Sequence, residues 1–196
     1  EQTWNVALAI GKVLLKNGKV GYIDPYAGDD YKESADFILV THQHGDHNQI
    51  DKVTQNDGCI IIQNFDALVD GVYKTFDVCD MHIEATEAYN KNHPKDQCVG
   101  YILTIDGKKV YVAGDTSTTE QMKELGSYNL DYAFLPMDGK YNMDIDEAIQ
   151  CEKLIKAKHT IPYHIAPGAL FDEDRAKKFK TDSTYILRPG EYLEIK

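Results

Sequence analysis

The sequence predicts an α/β domain built as a layered sandwich, and three observations carry that expectation. Strand-turn-helix units recur along the chain, they fall into two β-rich halves, and two hairpin signals, Asn17-Gly18 and Asp106-Gly107, punctuate them. At 196 residues the chain fits one domain, residues 1–196, large enough to bury a two-layer core without disulfide staples. No internal repeat is obvious.

Taken in order, residues 5–23 read as short strands. Asn17-Gly18 turns Val13-Leu14-Leu15 into Val20-Gly21-Tyr22-Ile23, and Asp24-Pro25 stops the sheet. The apolar run Asp36-Phe37-Ile38-Leu39-Val40 reads as a buried strand of a covered sheet, the kind that delivers functional residues at its C-terminal end. Cys59–Ile62 is a buried strand by composition, followed by a short helix-like stretch near Asp66–Asp70, and Met81–Ala85 alternates as a further strand. A polar loop, residues 88–95, precedes strand 99–105, which Asp106-Gly107 joins to strand 109–113. Capping-box spacing over Ser117–Gln121 and a stop at Gly126 predict a helix over 118–125. Residues 131–136 form another strand. Asp144 then caps an amphipathic helix that turns Ile145, Ala148, Ile149, Leu154 and Ile155 to the core, with Lys156 and Lys158 at its end. A helix over 172–180 and a strand over 184–187 close the domain.

Composition narrows the function classes. The formal charge is −11 with Lys and Arg scattered, so there is no basic footprint for a nucleic-acid backbone. No apolar run approaches a membrane span or a signal-peptide core. The chain opens on Glu1 rather than Met, an expected mark of removal or trimming. Cys59, Cys79, Cys98 and Cys151 form no C-x-x-C pair and read as reduced thiols of a cytoplasmic protein, with export after signal removal the alternative. The expected partner is a small-molecule substrate, with neither nucleic acid nor membrane; the oligomeric state is open.

The chemistry concentrates in Thr41-His42-Gln43-His44-Gly45-Asp46-His47, directly after the 36–40 strand. His42 and His44, two apart, leave a strand end on the same side, and Gly45 lets Asp46 and His47 curl in beside them. Four donors from one short loop suggest two metals rather than one. A structural zinc site is the plainer alternative, but such sites favour Cys and a closed shell, and no Cys lies near this loop. His82, isolated in its strand, reads as structural.

This stretch resembles the His-x-His-x-Asp-His signature of the metallo-β-lactamase superfamily, and within it the chain looks most like the small metal-dependent hydrolases that include L-ascorbate-6-phosphate lactonase. The likeness runs from Tyr22 to His164 and implies a four-layer αββα sandwich. It implies that His42, His44 and His93 hold one metal and Asp46, His47 and His164 the other, with Asp115 between them; Asp46 is also the expected catalytic residue. The diiron members carry Glu at the position of His44, so zinc is expected, with Mn2+ or Fe2+ the alternatives. His93 is otherwise a solvated loop residue, and Asp115 a turn residue. Asp24 either holds a ligand His in its tautomer or caps the turn before Pro25. His159 is expected at the opposite edge. Tyr89, Asn90, Lys95, Lys140 and Tyr141 are pocket candidates or ordinary loop surface, Lys140 being suited to an anionic group. The implied activity is hydrolysis of an ester or lactone bond by a hydroxide between two divalent metals. A phosphodiesterase and a non-catalytic metal-binding domain are the alternatives.

Overall fold

Hairpin chemistry starts the first sheet. In the computed structural model, which describes residues 2–7, 10–26, 28, 31–169 and 171–195, with side chains from residue 11 onward, β1 (Gln2–Ala7) pairs antiparallel with β2 (Ile10–Leu14). Gly18, at φ 81°, then turns β2 into β3 (Val20–Ile23), and Asn17 Oδ1 accepts the Lys19 N–H at 3.0 Å. β4 (Ala35–Leu39) and β5 (Gln55–Ile62) join in parallel. A short α1 (Asn64–Ala67) leads to a ribbon of β6 (Leu68–Val69) and β7 (Val72–Tyr73).

The second sheet repeats the plan. β8 (Thr75–Val78), β9 (Met81–Glu87), β10 (Val99–Ile105) and β11 (Lys108–Val112) form an antiparallel meander. Crossovers through α2 (Met122–Leu125) and α3 (Ile145–Ile155) add β12 (Tyr132–Pro136) and β13 (His159–Tyr163) in parallel. After α4 (Glu173–Lys178), β14 (Tyr192–Ile195) returns to the first sheet beside β1. The two six-stranded sheets run β14-β1-β2-β3-β4-β5 and β13-β12-β11-β10-β9-β8.

Period-two patterning gives each sheet two apolar faces. Val13, Ile23, Phe37 and Leu39 of one sheet bury against a core shared with Tyr101, Leu103, Val112 and Ile161 of the other. The alternate residues Ile102, Tyr111, Ala133 and Leu135 pack outward beneath Leu125 of α2 and Ala148, Cys151 and Ile155 of α3. On the first sheet, Val20, Tyr22, Ile38 and Val40 are covered by Val53, Tyr31 and Ile50, the last from a 3-10 turn at Ile50–Lys52. The molecule is an αββα sandwich in which, among the described residues, that outer layer is reduced to loops and one turn.

Four elements differ from expectation. Cys59–Ile62 is not a buried strand throughout: β5 is a sheet edge, and Ile60 is 43% exposed. The predicted helix over 118–125 shrinks to Met122–Leu125, because tertiary partners take its capping groups. Thr118 N–H and Oγ1–H both donate to Glu147 of α3, and Glu120 N–H donates to the Tyr89 hydroxyl. The 184–187 segment makes a single bridge, Thr184 to Thr160, and the closing strand is β14. The helix expected at 66–70 lies at 64–67, since the Gln63 and Asp66 side chains form a capping box there.

Candidate metal centre

The parallel part of each sheet ends in the same corner of the molecule. Asp24 follows β3 and residues 41–47 follow β4; Asp115 follows β11, Asp138 follows β12 and His164 follows β13. Ligand-bearing loops at the carboxyl ends of parallel strands are the usual consequence of such topology. Three of these exits are sharp: Asp24 (φ 51°), Gly114 (φ 71°) and His164 (φ 48°) all adopt left-handed backbone. For the two residues with a Cβ this conformation is strained, and it recurs where surrounding structure fixes a functional side chain.

Asp115 is the centre of the cluster. Its Oδ2 lies 3.1 Å from His93 Nε2, 3.4 Å from His47 Nε2, 3.5 Å from His164 Nε2 and 3.8 Å from His42 Nε2. Asp46 Oδ2 is 3.5 Å from His47 Nε2 and 3.7 Å from His164 Nε2. Two sets of converging donors result, His42 with His44 and His93, and Asp46 with His47 and His164; within each, the donor atoms lie within 4.8 Å of one another. Asp24, His42 and His47 also group this way, but both Asp24 oxygens already accept hydrogen bonds from Thr41, at 2.7 Å from its N–H and 2.6 Å from its hydroxyl.

Four of the five imidazoles are oriented from behind. Nδ1 of His42 meets Thr41 Oγ1 at 2.9 Å, that of His47 meets Asp24 Oδ2 at 2.9 Å, that of His93 meets Asn90 Oδ1 at 2.8 Å and that of His164 meets Asp138 Oδ2 at 3.0 Å. Donation from Nδ1 fixes the tautomer that leaves the Nε2 lone pair facing inward. Nε2 of His42, His47 and His93 and Oδ1 of Asp115 are buried without a hydrogen-bond partner among the described residues. Leaving such atoms unsatisfied costs about 1–3 kcal/mol each, so this donor set fits divalent cations.

Burial and the neighbouring carboxylates pull the rings of the cluster in opposite directions, lowering His42 and raising His47 and His164. Burial drives the His42 imidazolium down to about 2, keeping the ring neutral and able to donate a lone pair. Burial alone would raise Asp115, but His47 and His93 outweigh it and hold the carboxyl well below the usual range. Burial likewise opposes charge on His164, yet the carboxylates of Asp138, at 3.0 Å, and Asp46, at 3.7 Å, lift it to about 10. Asp138 is held at about 2: burial pushes it up, and His164 with the N–H groups of Lys140, Tyr141 and Asn142 pulls it further down. Burial pushes the Asp24 carboxyl up against the opposing pull of His47 and Thr41.

All seven residues singled out in the sequence, His42, His44, Asp46, His47, His93, Asp115 and His164, therefore meet. Asp24 lies behind His47. Asn90 supports His93 instead of facing a ligand. Tyr89 and Lys95 turn to one another and to Glu87 and Glu120, away from the pocket. His82 pairs with Asp77 at 2.8 Å on the surface, and His159 stacks on Tyr132, both outside the cluster. Sequence reading missed the support that Thr41 and Asp138 give to the His42 and His164 rings. An Asp within two residues of the end of a strand of the parallel set, as at Asp24 and Asp138, was the available signal.

A pocket of about 390 Å³ opens over the cluster. His44, Asp46, His93, Asp115 and His164 form its floor, and Asn92 and Tyr141 line it as well. No helix among the described residues is long and apolar enough to cross a membrane. The β-lactamase superfamily domain matches residues 13–164, a span that includes every residue of the cluster. A UPF0173 metal-dependent hydrolase of Pyrococcus furiosus is 30% identical over 213 residues, covering 92% of this chain and 94% of that protein. Another, from Bacillus velezensis, is 32% identical over 190 residues, 82% of each chain. The crystal structure of a Parabacteroides distasonis protein superposes with a TM-score of 0.77 at 29% identity, over 96% of this chain and 92% of that one. The match across the whole cluster and the relatives covered nearly end to end make this chain a member of the metallo-β-lactamase superfamily, and a metal-dependent hydrolase within it.

Proposed function

We propose that the protein hydrolyses an ester or lactone bond in a small organic substrate with two divalent cations, His42, His44 and His93 holding one, Asp46, His47 and His164 the other, and Asp115 both. The observation that carries this reading is the convergence of two donor triads around one buried carboxylate, Asp115, whose Oδ1 has no hydrogen-bond partner among the described residues. A carboxylate spans two cations where an imidazole cannot. Five imidazoles in the set favour zinc, while the carboxylates also suit manganese or iron. When bound, the cations lower the pKa of water and polarise a carbonyl oxygen.

The chain's own residues supply position and charge. Thr41, Asp24, Asn90 and Asp138 hold four rings, so the donors need little rearrangement. Asp46 has a half-exposed side chain in the pocket floor and stays ionised: burial opposes this, and His164 and His47 outweigh it. It presents a negative oxygen to an incoming O–H, which is its catalytic role. The pocket volume suits a small molecule, and the −11 charge argues against a polyanion. The likeness to L-ascorbate-6-phosphate lactonase noted in the sequence tips the choice towards lactones.

The test is metal quantification followed by assay against lactone, thioester, phosphodiester and β-lactam substrates. Ester or lactone turnover that chelation abolishes is expected, with His44→Ala losing metal from the first triad. Full turnover by metal-free protein would refute the proposal. A metal-loaded protein inert on the whole panel would favour a binding domain, and turnover of phosphodiesters alone would favour that class.

A further inference from the structure

The hydrolytic chemistry leaves part of the pocket lining without a task. Tyr141 is a large aromatic, 44% exposed, on that lining. Its backbone is nevertheless pinned on both sides: the N–H donates to Asp138 Oδ1 at 2.7 Å, and the carbonyl accepts from Asn90 Nδ2 at 2.9 Å. Asp138 and Asn90 are the residues that orient His164 and His93. The ring is thus mounted on the same frame as the cluster, so ordering it around a ligand costs less than ordering a free loop residue. Lys140 Nζ lies 5.0 Å from the ring centroid and makes no ion pair among the described residues. Asn92 completes this lining. Among the described residues its Nδ2 reaches only Tyr141 O, at 3.5 Å, and Asn90 already serves that oxygen at 2.9 Å, so the Asn92 amide is a surplus donor beside the cluster.

We infer that Tyr141 is a platform on which a planar ring of the substrate stacks, while the Asn92 amide donates to a substrate oxygen near the bond being cleaved. The substrate class is then small esters or lactones with a ring next to the acyl group, and Tyr141 and Asn92 are specificity-determining residues. The identity of the reacting bond rests on the hydrolytic reading above; the ring preference does not.

Calorimetric titration of zinc-loaded protein with phenylacetate and acetate, the kind of carboxylate such hydrolysis releases, separates the two. Wild type and Tyr141→Phe should bind phenylacetate about tenfold more tightly than acetate. In Tyr141→Ala that ratio should collapse towards unity while zinc content and acetate affinity hold. Asn92→Ala should weaken both ligands alike and leave the ratio intact. Wild type without a preference for the ring, or Tyr141→Ala with the wild-type preference, overturns the inference. Ring-selective binding in a protein that hydrolyses no substrate would instead sink the hydrolytic reading alone.

Discussion

His164 shows how much a single proposed ligand depends on the residue behind it. Its Nδ1 meets Asp138 Oδ2 at 3.0 Å, and Asp138 is itself fixed by three backbone N–H groups and the Asn142 amide. Replacing Asp138 with Ala removes the acceptor and frees the ring to rotate. Metal affinity of the Asp46–His47–His164 triad should fall about 10–100-fold, while the His42–His44–His93 triad keeps its ion. Asp138→Asn retains an acceptor oxygen and should recover most of the affinity. Competitive titration with a chromophoric chelator reads both values, and equal affinities in Asp138→Ala and wild type would remove Asp138 from the account. The same reasoning applies to Asp24 behind His47 and Asn90 behind His93.

At the scale of elements, the strand exits decide where the donors go. Gly114 turns β11 into Asp115 at φ 71°, and a Cβ there would lie 2.7 Å from the Val99 carbonyl oxygen. Gly114→Ala combines an unfavourable conformation with a backbone clash and should cost about 1–3 kcal/mol in denaturant unfolding, with loss of metal because Asp115 moves. A stability unchanged from wild type would show that the turn relaxes freely. The elements also mark how far the sequence was legible. Hairpins at Asn17-Gly18 and Asp106-Gly107 and the Asp144-capped α3 were readable because their signals are local. The 118–125 helix was not, because Thr118 and Glu120 spend their capping groups on Glu147 and Tyr89, residues distant in the chain. β14 escaped notice because its pairing with β1 joins the two ends of the sequence.

The whole molecule brings buried imidazoles and carboxylates to one seam between two sheets, where several of their donor atoms have no hydrogen-bond partner among the described residues, as a cation-binding cluster requires. Binding to the folded state alone adds stability as RT ln(1 + [L]/Kd), about 2.7 kcal/mol at a hundredfold excess over Kd. For a chain of this size, removing the cations should lower Tm by roughly 5–10 °C, and zinc should restore it. Scanning calorimetry of chelated and reloaded protein checks this, with identical melting curves counting against any bound cation in the native state.

The sequence by itself determined the candidate metal loop, the strand that delivers it and, through a resemblance to a known superfamily, the distant residues His93, Asp115 and His164 that meet it. Those signals lie in contiguous residues or in a likeness that spans most of the chain. Only the tertiary structure decided that Asp138 and Thr41 hold the His164 and His42 rings, that Asn90 supports His93, and that Tyr141 and Asn92 line the pocket. The reason is geometric: a hydrogen bond to Nδ1 or a place in a pocket lining depends on which strand ends lie side by side, and strand order across two sheets leaves no mark on the local sequence.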